Sequence, residues 1–152
     1  WGVCKGIGRL FIATELAKTV GPEKGYVYFQ DFIENDGYDI RVATINKKAV
    51  ALKRLVRKND FRASGSGNLV FENQNMDKRF IELAFKLSKL LKTQSCAFDF
   101  VQDLNSNIYI VEISYGFPTV NFLDGAAGFW TEDMVWHKEE FNLQAWMVEA
   151  IL

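Results

Sequence analysis

Cys96-Ala97-Phe98-Asp99-Phe100-Val101 and Ile108-Tyr109-Ile110-Val111-Glu112-Ile113-Ser114 are two apolar, aromatic and β-branched runs, each interrupted by one acid. The stretch between them, Gln102 to Asn107, is a series of turn formers, so the pair reads as an antiparallel hairpin. If Gln102 pairs with Tyr109, Asp99 lies directly across from Glu112. Like charges opposed on a sheet destabilise it unless a cation sits between them, and a hard divalent ion such as Mg²⁺ or Mn²⁺ takes carboxylate oxygens and bridges them to phosphate. Two acids on a solvated face are the plainer alternative, and a register change of one residue would put them on opposite faces.

The segment before this hairpin predicts a helix over Met76 to Leu91, with Asn75 as N-cap and Phe80, Leu83, Ala84, Leu87, Leu90 and Leu91 at spacings of three and four. Earlier still, Tyr38 to Ile45 and Lys48 to Arg57 alternate around a two-residue turn, Asn46-Lys47, and predict a second hairpin. That turn sets Asp39 opposite Arg54, puts Lys53 and Arg57 on one face and turns Arg54 to the other with Val50 and Leu52. Tyr26 to Ile33 reads as a buried strand, Leu10 to Val20 as a helix closed by Gly21-Pro22, and Phe141 to Leu152 as an apolar C-terminal helix. Strands joined by hairpins predict an α+β fold with a mostly antiparallel sheet and helices packed on one face, not a doubly wound parallel sheet.

The chain has 152 residues, 49% hydrophobic and 24% charged, enough for one domain or two small lobes and too apolar for disorder. No charge-free stretch approaches the ~18 apolar residues of a membrane span, so no membrane partner is expected. Net charge is -1, but Arg41 to Arg62 holds eight Lys and Arg against Asp60 alone, leaving that segment at +7 and the remainder at -8. A single histidine, His137, excludes a zinc site of several His and makes hydrolase templates poor matches. His137 lies in a polar stretch and reads as a surface residue. Cys4 and Cys96 are too few for a disulfide scaffold and predict reduced thiols and a cytoplasmic location. The chain opens on Trp1 with neither an initiator Met nor a secretory leader, which suggests a segment of something longer.

The basic hairpin suits phosphate, for which Lys offers a point charge and Arg a fork of donors. Cationic side chains that keep a sheet edge from pairing are the competing explanation, the better one for Lys47, Lys48 and Lys58. Ser64-Gly65-Ser66-Gly67 could wrap a phosphate with backbone N–H groups, a weak signal by itself.

In order, Gln30-Asp31-Phe32-Ile33, Asp39-Ile40-Arg41, Lys53-Arg54, Asp60-Phe61-Arg62, Phe98-Asp99-Phe100 and Val111-Glu112-Ile113-Ser114 resemble the ATP-binding half of ATP-grasp carboxylate-amine ligases. The branch closest in style is that of glutathione synthetase and the ribosomal-protein S6 glutamate ligase. The resemblance implies a hinge at Gln30, Asp31, Phe32 and Ile33 that binds adenine, ribose on Asp39, phosphates on Lys53, an acyl-phosphate steadied by Arg62 with Arg54 or Arg41, and metal on Asp99 and Glu112. Ser114 stands where that family usually places a metal-binding Asn. The implied cofactors are ATP and Mg²⁺ or Mn²⁺, and the implied partners are a small-molecule or peptide carboxylate and an amine, without nucleic acid and with a homo-oligomer left open. The resemblance also divides the chain into 1–33, a remnant of the small lobe and the hinge, and 34–152, the C-terminal lobe, so that Trp1 looks like a cut at the N-terminus inside an ATP site. Such a reaction needs positioning and cations on the transferring oxygens, not a His, Cys or Ser nucleophile. Two alternatives remain: a degenerate ATP-grasp module that binds nucleotide or a protein partner without catalysis, and a small nucleic-acid-binding domain using the basic hairpin with Phe61 and Phe71.

Overall fold

The computed structural model describes residues 18, 19, 21, 29–123 and 125–152. The chain divides into two compact units, Trp1–Phe32 and Ile33–Leu152. The predicted helix over Leu10 to Val20 lies outside the described residues except at Lys18 and Thr19, which are helical, and so do Tyr26 to Tyr28 of the predicted strand. Phe29 to Ile33 carry no strand, a departure from the expectation for that segment.

The larger unit is built on seven strands among the described residues: β1 Tyr38–Ile45, β2 Lys48–Leu55, β3 Leu69–Val70, β4 Ser95–Gln102, β5 Ile108–Ser114, β6 Phe129–Thr131 and β7 Trp136–His137. All pair antiparallel in the order β5-β4-β1-β2-β6-β7, with β3 alongside β2. The β1–β2 hairpin has the predicted register, Asp39 to Arg54 and Ile45 to Lys48. Asn46 takes the left-handed conformation (φ 54°), which Asn adopts at modest cost in a two-residue turn.

Helix α1, Lys78–Leu91, starts two residues later than predicted, because Asp77 and not Asn75 supplies the cap: its carboxylate accepts from the Arg79 N–H at 3.0 Å. Asn75 belongs to a preceding 3₁₀ turn, Asn73–Asn75. Two short helices follow, α2 Val120–Leu123 and α3 Leu143–Glu149, the latter capped by Asn142. Since strand side chains alternate, the sheet has two buried faces. On one, Phe80, Ile81, Ala84 and Phe85 of α1 pack on Ile40, Val42, Phe98 and Phe100. On the other, Leu143 and Trp146 of α3 join Phe122 and Phe129 over Ala43, Ile45, Val50 and Leu52. The expectation of helices on one face therefore holds for α1 alone. The C-terminal helix covers the opposite face, because the odd-numbered positions of β1 and the even-numbered positions of β2 are apolar at that end as well.

Candidate functional site

The opposite face stops being apolar at the end of the sheet where Asp39, Arg41, Arg54 and Asp99 project. Arg54 reaches from β2 across β1, donating from Nε to Asp39 Oδ1 (2.6 Å), from Nη2 to Asp39 Oδ2 (2.8 Å) and again from Nη2 to Asp99 Oδ2 (2.7 Å) on β4. Arg41 grips Asp99 with a second fork, Nε to Oδ1 and Nη2 to Oδ2, both at 2.6 Å. The result is a row of alternating charge, Asp39–Arg54–Asp99–Arg41, with side-chain exposures of 12%, 7%, 4% and 12%. Buried charges survive only when paired in this way. Burial pushes the Asp39 carboxyl above its ordinary value, more than hydrogen bonds from Arg54 pull it down. Arg54 is also raised: burial opposes its charge, but Asp39 and Asp99 together outweigh the burial.

Asp99 does pair with Glu112 across β4 and β5, and Ala97 with Ser114, so all three expected metal positions share one face. The premise for that expectation is corrected. Gln102 pairs with Ile108, not with Tyr109, and the ladder slips between Asp99 and Phe100 so that Val111 is an extra, unpaired residue. This β-bulge lets Ile110 stay opposite Phe100 while Glu112 stays opposite Asp99. Glu112 is exposed, and Ser114 Oγ donates to the Gly116 carbonyl at 2.9 Å.

Other expected site residues are not brought to this row. Lys53 lies on the α1 face of β2, its Nζ 2.5 Å from Glu72 Oε1 and 4.3 Å from the centre of the Tyr38 ring. It is therefore separated by the sheet from Asp39, Arg54 and Asp99, because adjacent residues of a strand point to opposite faces. Arg62 sits in the loop after β2 and folds back on Asp60, with Nε 2.9 Å from Oδ1 and Nη2 2.6 Å from Oδ2. That contact holds the Asp60 carboxyl down at about 2. Gln30, Asp31 and Phe32 are exposed and belong to the smaller unit, and Ile33 is half-buried at the start of the larger. Trp1, where the resemblance places a cut inside an ATP site, lies outside the described residues.

One contributor escaped the sequence reading: Glu72 partners Lys53 from beyond an intervening loop. Arg57, expected on the Lys53 face of the hairpin, instead closes that loop by donating from Nη2 to the carbonyls of Ser64 (3.0 Å) and Gly65 (2.9 Å). Gly65 and Gly67, at φ 67° and 76°, supply left-handed corners there that other residues adopt poorly.

The donor set suits a hard cation in kind, since Asp99, Glu112 and Ser114 offer oxygen only. In number it is sparse: three of the four lone-pair sites of Asp99 are taken by arginines, and among the described residues no group of three or more His, Cys, Asp and Glu is placed to hold a metal. The residues thus fit an ion that brings phosphate oxygens and water of its own, as Mg²⁺ commonly does. Among the described residues the Nη1 groups of Arg41 and Arg54 make no hydrogen bond, which leaves donors for an incoming anion.

A family model for the RimK-like ATP-grasp domain matches residues 9–122, about three quarters of the chain. The chain belongs to the RimK-like ATP-grasp family. ATP-grasp proteins bind ATP and are generally ATP-dependent ligases, and the antiparallel α+β sheet of this member agrees with that assignment. No curated protein matches the sequence.

Proposed function

We propose that this ATP-grasp chain binds MgATP and takes part in joining a carboxylate to an amine through an acyl-phosphate. The observation carrying this reading is the family match over 9–122 together with a buried row of two arginines and two aspartates that has Glu112 beside it. Arg41 and Arg54, oriented by Asp39 and Asp99, would neutralise transferring oxygens. Glu112, Asp99 and Ser114 would hold the divalent ion, which supplies charge neutralisation between the phosphates when bound. Asp39 as a ribose acceptor, Lys53 and Arg62 as phosphate ligands and Gln30 to Ile33 as the adenine hinge belong to the same reading, and Lys53 needs a route other than the Asp99 face to take part. In this reading 34–152 acts as the C-terminal lobe and 1–33 as hinge and small-lobe remnant, in the cytoplasm, without nucleic acid or membrane as partner. Calorimetric titration of ATP with and without Mg²⁺, followed by ADP release over a panel of amino acids and peptides, tests it. Affinity that depends on Mg²⁺ and is lost in Asp99→Asn and Glu112→Gln is the expected result, and ATP that does not bind in either condition sinks the reading.

A second reading, a non-catalytic member that binds nucleotide or a protein partner, is favoured by Ser114 at the position of the family's usual Asn and by the arginine contacts on Asp99. Mg²⁺-dependent ATP binding with no ADP release from any carboxylate would select it.

A further inference from the structure

Asp99 is the most enclosed charge of the row and the shared anion of both arginines. A carboxylate offers about four lone-pair sites. Arg41 takes one on each oxygen, Arg54 takes a second on Oδ2, and one site on Oδ1 remains. The two arginines are not held alike. Arg54 is anchored twice, by both oxygens of Asp39 and by Asp99, whereas both bonds made by Arg41 go to Asp99 alone. Arg41 is thus the cation of the row that can leave while the other three members stay assembled.

A divalent cation approaching Asp99 meets the Arg41 guanidinium as a like charge in direct contact with the same carboxylate, where repulsion is strongest and solvent screening weakest. An anionic phosphate reverses this balance, because it offers the Arg41 fork an equivalent bidentate partner and supplies the cation with further oxygens. We infer that Arg41 is a tethered cation occupying the metal position on Asp99, which keeps free metal out until an anionic ligand draws the guanidinium away. Metal and phosphate then enter together. The inference rests on the proposed nucleotide site, in which Arg41, once drawn off Asp99, is one of the two arginines set on the transferring oxygens.

The probe is Mn²⁺ alone, without nucleotide, titrated into the full chain and followed by loss of the free-ion paramagnetic resonance signal. The wild type is expected to bind weakly, with Kd of about 1 mM or above, and Arg41→Met to bind about tenfold tighter once the competing charge is gone. Adding Glu112→Gln to Arg41→Met should remove the gain. Arg41→Lys, which keeps charge but cannot cover both oxygens, should lie between the two and serves if circular dichroism shows Arg41→Met unfolded. Tight wild-type binding of Mn²⁺ alone, or folded variants no tighter than wild type, would overturn the inference. The nucleotide site is judged by the separate ATP titration, so the two failures are distinguishable.

Discussion

At the scale of single residues, the two arginine–aspartate pairings in this chain should behave in opposite ways. Arg62 and Asp60 meet in the loop after β2, two residues apart, with the Arg62 side chain exposed. Their contact depresses Asp60 to about 2, so its stabilising effect is complete above the ordinary carboxylate range and fades as pH falls toward that value. Carboxyl carbon NMR should find the Asp60 midpoint near 2. Arg62→Gln should return it toward the ordinary value, and an unchanged midpoint would mean the pair does not persist in solution. Arg54 is different, since its removal strands the enclosed Asp39 and takes one of its three donors from Asp99. Arg54→Met is expected to cost about 3–5 kcal/mol in urea unfolding, whereas Arg62→Gln should leave the unfolding midpoint almost unmoved. Comparable losses from both would show that the row is as wet as the loop.

At the scale of elements, α1 records both what a sequence conveys and what it withholds. Its apolar spacing announced the helix, but the cap it pointed to was Asn75; the 3₁₀ turn at Asn73–Asn75, which the pattern does not encode, takes up that residue and leaves Asp77 to cap the helix. Asp77→Ala should lower stability by about 1 kcal/mol. The helix ends on Lys92 at φ 56°, a conformation costly for a side chain with a Cβ. Lys92→Gly should therefore raise stability by about 1 kcal/mol. Chemical denaturation of the two variants reads both signs, and destabilisation by Lys92→Gly would refute the strain. The register of the first hairpin was legible to the residue because alternation and a two-residue turn jointly fix it, although the second strand ends at Leu55 and not at Arg57. The second was legible only in its outcome: Asp99 faces Glu112 through a bulge at Val111, a backbone irregularity that no alternation of side chains announces.

At the scale of the whole molecule, the two cores share one sheet, Phe80 lying under one face and Trp146 over the other. Phe80→Ala and Trp146→Ala should each cost about 3–5 kcal/mol, and each should shift the same unfolding transition of Ile33–Leu152 when followed by circular dichroism and by fluorescence. Separate transitions would mean that the faces fold independently. This shared sheet also explains why the candidate site was only partly legible. Residue types and order pointed to Asp39, Arg41, Arg54, Asp99 and Glu112, and simple strand alternation separates Lys53 from them. The double use of Asp99 by two arginines depends on Arg54 spanning β1, a distance that emerges only when three strands lie side by side.

The bulge at Val111 has a consequence for how the chain keeps from sticking to itself. Among the described residues β5 is an outer strand of the sheet, and on it Tyr109, Ile110 and Ile113 are 41%, 39% and 44% exposed. Such a strand, if flat, is a template for copies of itself. The extra residue twists the ladder, and Glu112 adds the one charge that a stacked neighbour would have to bury against its own. Deleting Val111 would straighten the edge without changing which residues face Asp99 and Phe100, so the expected effect is growth of thioflavin-positive aggregates in a chain that still folds.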